Sequence, residues 1–195
     1  MDHYLDIQLV PNAELPTHVM LSVVYGHLHR VLARDGRRDV GVSFPNVGRA
    51  GLGDVLRLHG SLDALLTMVP DAWLRGARDY IRWNGPEKVP ARTLHCAVRR
   101  VQAKSSPERL RRRQIRRHGW TQDEARERIP DRTAVRLQDP FVRLYSTSTG
   151  QAFLLFVRHE APQALAVQGT FNSYGLSRTA TVPWFPVGGE KGGLA

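Results

Sequence analysis

Cysteine is almost absent from this chain: Cys96 is the single one in 195 residues. One thiol cannot close a disulfide within the chain, and it excludes any cysteine-rich zinc site. It reads instead as a small core residue. Long apolar runs are missing as well. A bilayer-spanning helix needs roughly 20 consecutive apolar residues, and the longest candidate is residues 153–157. The N-terminus, MDHYLDIQL, has neither a basic stretch nor an apolar core, so no secretory signal is expected and the cytoplasm is the expected location. No group of Asp and Glu resembles a two-metal nuclease site. His27 and His29 lie two apart on an expected helix, where their rings point about 200° apart and make a poor chelate. There is no internal repeat. Acid is scarce in one place above all. Between Arg99 and Trp120 nine basic residues stand against one acid, which puts +8 of the chain's net +10 into one segment.

The rest of the chain is close to neutral and reads as folded protein. Hydrophobic residues make up 42%, with Trp and Tyr spread along the length, enough for one large domain or two small ones. Residues 3–10 alternate Leu5, Ile7 and Leu9 with polar neighbours and stop at Pro11, which predicts a half-buried strand. Thr17 is placed to cap a helix whose apolar stripe is Leu21, Val24, Leu28, Val31 and Leu32, ending near Asp35-Gly36. Strands are expected at 39–44 and 54–59. Ser61 opens a short helix, 62–68, that stops at Pro70, and a fourth strand follows near 78–83. This β-α-β-β-α-β order predicts a ferredoxin-like unit over residues 1–84. The stretch NGPEKVPAR at 84–92 is rich in proline, glycine and charge, and residues 85–94 read as a linker. A second α+β half is expected over 95–185: a strand at 95–103, a helix at 107–118, a short helix opened by the Thr121-x-x-Glu124 capping box, and strands at 141–145, 153–158 and 165–168. Residues 186–195, rich in glycine, read as a flexible tail.

The 107–118 helix carries the charge. Ser106-Pro107-Glu108 is a helix start, with a cap, a proline in the first turn and an acid against the dipole; Gly119 closes it. At 100° per residue, Arg109, Arg112, Arg113, Arg116 and Arg117 fall within about 140° of arc, while Arg111 points the other way. Like charges three and four apart repel, so a stripe of this kind calls for a polyanion. A nucleic acid supplies one, through charge neutralisation and counterion release. Zinc-finger, basic-zipper and helix-turn-helix spacings are lacking. Arginine reads guanine edges in a major groove, and in A-form RNA that groove is too narrow except near a helix end. A hairpin with an accessible stem terminus is the ligand that fits.

The motifs taken together closely resemble the CRISPR-repeat-processing endoribonuclease family of type I-F (Csy) systems. The likeness rests on MDHYLDI, GHLH ending at His29, GVSFP at 41–45, and RVQAKSSPERLRRRQIRRH at 100–118. It extends through STSTGQAF at 146–153, LFVRH at 155–159, YGLS at 174–177 and VPWF at 182–185. The resemblance implies a ferredoxin-like N-terminal domain with an RNA-recognition half behind it. It implies binding of the repeat hairpin in precursor CRISPR RNA and a cut at the 3′ base of the stem without metal or other cofactor. The enzyme then stays on its product beside other Csy-complex subunits, one monomer per RNA. It further implies that His29 is the catalytic histidine, Ser146 the principal active-site serine, Ser148 a second serine, and Tyr174 the tyrosine beside the histidine. Arg100 and Gln102 fall on the residues that read bases at the bottom of the stem. Arg112, Arg113, Arg116 and Arg117 fall on the groove-inserting arginines, and Phe153 on the aromatic that stacks on the terminal base pair. His27 stands where a lysine is usual and Thr147 where a glutamine is usual, which leaves the repeat preference open.

The residue types suit that chemistry. When the substrate's own 2′-hydroxyl attacks the adjacent phosphate, the protein must supply a base, a hold on the ribose and charge stabilisation. Histidine is the side chain whose ordinary charge change falls between pH 5 and 8, and Ser146 and Ser148, two apart at a strand end, can present both hydroxyls to one side. Two other readings of the residues remain open. One is a non-catalytic RNA-binding subunit; the other is a basic DNA-binding or ribosome-associated protein.

Overall fold

The computed structural model describes residues 1–74, 78–102, 107–131, 137–146 and 149–188. The fold is mixed α+β, and every strand pair with an assigned register is antiparallel. The chain divides into two compact units, Met1–Arg100 with Pro140–Ala195, and Val101–Asp139.

The first unit begins with β1 (His3–Leu9), whose alternation places Leu5, Ile7 and Leu9 in the core. Next come α1 (Thr17–Arg34), β2 (Gly41–Ser43), β3 (Val55–Gly60), α2 (Leu62–Leu66) and α3 (Pro70–Trp73). A 3₁₀ turn, Arg78–Tyr80, leads into β4 (Ile81–Trp83). These strands lie in the order β2-β3-β1-β4. Leu5 stands opposite Leu58 and Ile7 opposite Leu56 across β1 and β3. Helices α1 and α2 pack on β1, so Leu56 and Leu58 meet an apolar layer. Both faces of β3 are buried, and its other face carries Arg57 and His59. A buried charge requires full pairing. Arg57 has it: Nε and Nη2 donate to Asp6 at 2.6 and 2.7 Å, Nη1 donates to the Phe185 carbonyl at 2.7 Å, and the Tyr4 and Phe185 rings flank the guanidinium. That contact ties the end of the described chain to the sheet.

Beyond β4 the stretch expected as a linker carries β5 (Glu87–Lys88), which pairs with β1; Tyr4 donates to Glu87 at 2.9 Å. The single strand expected at 95–103 is two, β6 (Leu94–Cys96) and β7 (Val98–Val101), which join different sheets. After α4 (Pro107–His118) and α5 (Gln122–Arg128) of the second unit come β8 (Phe141–Tyr145), β9 (Ala152–His159) and β10 (Val182–Trp184). β10 pairs with β6, and the order of the other sheet is β7-β9-β8. Three local expectations are corrected. Pro16, not Thr17, occupies the N-cap of α1, without a side-chain cap bond. Pro70 starts α3 instead of only ending what precedes it, as its fixed φ suits a first turn. Residues 165–168 form no strand. There Val167 N donates to the Thr181 hydroxyl at 2.9 Å, a side-chain bond where a ladder would need a carbonyl. Cys96 is a buried free thiol, and among the described residues no helix is long and apolar enough to cross a membrane.

Candidate active site and nucleic-acid interface

Helix α1 buries Met20, Leu21, Val24, Tyr25, Leu28 and Leu32. His29 sits at the edge of that stripe and is half-buried. Its Nδ1 lies 2.8 Å from the carbonyl oxygen of Ser173. A carbonyl only accepts, so Nδ1 carries the proton and, in the neutral ring, Nε2 keeps its lone pair. Tyr25 is one helical turn earlier and shares the face. It is fully buried, and its hydroxyl donates to the next carbonyl, Tyr174 O, at 2.7 Å. Burial pushes the Tyr25 phenol well above its ordinary range, with the neighbouring Tyr174 adding to the shift, so it remains a donor. Two side chains of one helix thus hold consecutive carbonyls of one loop.

That loop is shaped by its own residues. Asn172 Oδ1 accepts from Tyr174 N at 2.8 Å and Leu176 N at 3.2 Å, an arrangement that asparagine provides more readily than most residues. Asn172 N donates to Leu176 O and Gly175 N to Asn172 O, both at 2.9 Å. Gly175 adopts φ +69°, and a Cβ there would stand 2.3 Å from Val42 Cγ2. The loop is tied to its surroundings by Val42 N donating to Gly175 O at 2.8 Å and Ser177 N to Val98 O at 2.9 Å.

Tyr174 lies flat on the imidazole of His29, ring centroids 4.0 Å apart and planes at 11°. On β7 the guanidinium of Arg100 stands 5.9 Å from the Tyr174 centroid and 5.8 Å from that of Phe153 on β9. Its Nε is buried with no hydrogen-bond partner among the described residues. Four expected site residues from four segments, His29, Tyr174, Arg100 and Phe153, therefore form one connected cluster. Ser146 opens the β8–β9 turn, its Oγ accepting from Thr149 N at 3.2 Å and its own amide donating to Gln151 O at 2.9 Å. Two residues earlier, Leu144 lies against α1 at Gly26, 3.6 Å from where a Cβ would be, so the strand leading to Ser146 packs within one turn of His29. Ser148 and Thr147 lie outside the described residues. His27 does not join the cluster: its pKa is lowered first by burial and then by Arg30, and it engages the backbone of Trp73. Tyr25, Asn172 and Ser173 escaped sequence reasoning. Their signals were a tyrosine four residues before His29 and an Asn-x-x-Gly turn.

In the second unit, α4 has the sign pattern its sequence predicts. Arg109, Arg112, Arg113, Arg116 and Arg117 are exposed. Arg112 pairs with Glu108 one turn back; Arg113, Arg116 and Arg117 have no ion-pair partner among the described residues. Arg111, on the opposite face, is half-buried and structural. Its Nε donates to Ile129 O at 2.8 Å and its Nη2 to Asp131 at 2.7 Å. The Thr121–Glu124 capping box is formed, and Ala125 of α5 is fully buried. His118 stacks on Trp120, and Arg128 lies 4.5 Å from the Trp120 ring centroid. Gln102 is exposed just past β7. The arrangement leaves a guanidinium-rich stripe facing solvent, suited to phosphates.

The family described as CRISPR-associated protein (Cas_Csy4) matches residues 4–185. A relative from Pseudomonas aeruginosa (strain UCBPP-PA14), named CRISPR-associated endonuclease Cas6/Csy4, is 50% identical over 187 residues, 95% of this chain and all of that protein. One of the same name from Escherichia coli (strain UTI89 / UPEC) is 41% identical over 185 residues, again 95% of this chain and all of the relative.

Proposed function

The chain belongs to the Cas_Csy4 family of CRISPR-associated proteins, and from that premise we propose that it is a metal-independent endoribonuclease of CRISPR repeats. It binds the repeat stem-loop in precursor CRISPR RNA and cuts at the 3′ base of the stem. The observation that carries this reading is the hydrogen bond from His29 Nδ1 to the Ser173 carbonyl, which leaves Nε2 available as a base. Nε2 takes the proton of the substrate's 2′-hydroxyl. The freed oxygen forms a bond to the adjacent phosphorus as the bond to the 5′-oxygen breaks, and that oxygen leaves with a proton taken from water. Proton transfer of this kind contributes roughly 10²- to 10⁴-fold. Holding the 2′-oxygen in line adds up to about 7–11 kcal/mol in the best intramolecular cases. Ser146 holds the ribose, with Ser148 as the second hydroxyl, and Tyr174 keeps the imidazole in plane by stacking.

Recognition is divided along the chain. Arg112, Arg113, Arg116 and Arg117 enter the groove of the stem with Arg109 beside them on the RNA-binding stripe, Arg100 and Gln102 read bases at its foot, and Phe153 stacks on the terminal pair. The solvent-facing stripe of α4 and the Arg100 Nε, buried without a hydrogen-bond partner among the described residues, support these roles. The protein stays on its product as one monomer per RNA, beside the other subunits of a Csy complex, in the cytoplasm. Residues 1–84 are a ferredoxin-like unit, supported by the β2-β3-β1-β4 order with helices after β1 and β3. The test is cleavage of a labelled repeat stem-loop in EDTA, repeated with a 2′-deoxy nucleotide before the scissile phosphate. The first is cut and the second only bound. Binding of both without cutting would mark a non-catalytic RNA-binding subunit instead.

A further inference from the structure

Resting on the reading of His29 as the base, we infer that Asn172, seconded by Tyr25, is a positioning residue that fixes the tautomer of the catalytic imidazole. A neutral imidazole carries one proton and can place it on either nitrogen. Only the form protonated at Nδ1 offers Nε2 to a 2′-hydroxyl. The acceptor that selects this form is the Ser173 carbonyl, 2.8 Å from Nδ1. A backbone carbonyl is placed only as well as its loop. Residues 172–174 are exposed or half-buried; the Tyr174 ring packs against the core, but the backbone that carries the Ser173 carbonyl needs restraints of its own. Polar bonds supply them. Asn172 Oδ1 gathers the amides of Tyr174 and Leu176 from the far side of Ser173, and Tyr25 anchors the Tyr174 carbonyl from the helix side at 2.7 Å. The same two restraints set the backbone of Tyr174, and with it the ring that lies on the imidazole at 4.0 Å. Neither side chain acts on the RNA directly. Both act by deciding where one proton rests.

The experiment uses the full chain and a synthetic repeat stem-loop. Single-turnover cleavage, hairpin affinity and the ¹⁵N chemical shifts of the His29 ring are measured for the native protein, Asn172→Ala, Asn172→Asp, Tyr25→Phe and His29→Ala. Asn172→Ala slows cleavage on the order of 10- to 100-fold, the scale of a misplaced catalytic group, with affinity within about twofold. Its ring proton is shared between both nitrogens. Asn172→Asp keeps an acceptor oxygen and recovers most of the rate, and Tyr25→Phe gives a smaller loss of the same kind. An Asn172→Ala protein that cuts at the native rate, or whose His29 proton stays wholly on Nδ1, overturns the inference, as does an Asn172→Asp protein no better than Asn172→Ala. Failure of the parent reading looks different: His29→Ala cuts normally, while the nitrogen shifts still report the tautomer.

Discussion

At the scale of single residues, the site is a set of small geometric requirements met by particular side chains. Gly175 shows the tightest one. Its φ of +69° is a left-handed conformation that costs any residue with a Cβ, and that Cβ would collide with Val42. Gly175→Ala is expected to destabilise the protein by about 1–3 kcal/mol. It should also slow cleavage, because the loop carrying Ser173 and Tyr174 must shift away from β2. Thermal melting checks the first and single-turnover cleavage the second; a variant with native melting temperature and rate would show that the loop tolerates the change. His29 and Tyr174 were legible in the sequence only through the family likeness, since a lone histidine at the edge of an apolar stripe is ordinarily structural. Tyr25 was legible only as a tyrosine one helical turn before His29. Its partner lies 149 residues away, and no local pattern encodes a contact at that separation.

Elements were legible in proportion to how local their causes are. α4 begins at Pro107 and ends before Gly119, which has φ +67°, and α5 opens on its capping box; in both, the residues that set the boundaries sit within a turn of them. β8 and β9 follow their alternation closely. The 165–168 segment failed because its apolar residues, Leu165 at 78% and Val167 at 42% exposure, face solvent. Hydrophobic character there does not report a sheet. The division of labour among the arginines could be read from helix geometry alone: Arg111 falls opposite the stripe and bonds to Ile129 and Asp131. The prediction at this scale follows. Arg113→Ala weakens hairpin binding and flattens the dependence of log affinity on log salt by about 0.7–0.9 for the lost phosphate contact. Arg111→Ala leaves that slope unchanged and lowers the melting temperature. Filter binding across a salt series, with melting curves, distinguishes them; equal slopes for native protein and Arg113→Ala would remove Arg113 from the interface.

At the scale of the whole molecule, the fold buries histidines that it needs neutral. Phe44 N donates to His159 Nε2 at 3.1 Å, and burial pushes the His159 pKa down from 6.5 to about 4. His59, wholly buried with Ser43 at 2.8 Å, is held well below its ordinary value by burial, then by Arg57. In the unfolded chain both bind protons near pH 6.5, so the unfolded state holds more protons below that point. Their neutrality therefore stabilises the fold fully above pH 6.5, and the stability is lost as pH falls toward 4. For His159 alone the loss approaches about 3 kcal/mol. Urea denaturation at pH 7.5 and pH 5 should show falling stability, with a shallower fall in His159→Gln, which keeps an acceptor but does not titrate. A flat profile between those values would mean that His159 is not held neutral by the fold.

In the proposed mechanism one side chain, His29, does the chemistry that the rest of the molecule only arranges. The most direct measurement is single-turnover cleavage of the repeat stem-loop by His29→Ala, beside its affinity for the same RNA. Cleavage should fall by at least about 10²-fold with binding within about twofold of native. Cutting at the native rate by that variant would contradict the assignment of the base and the mechanism built on it.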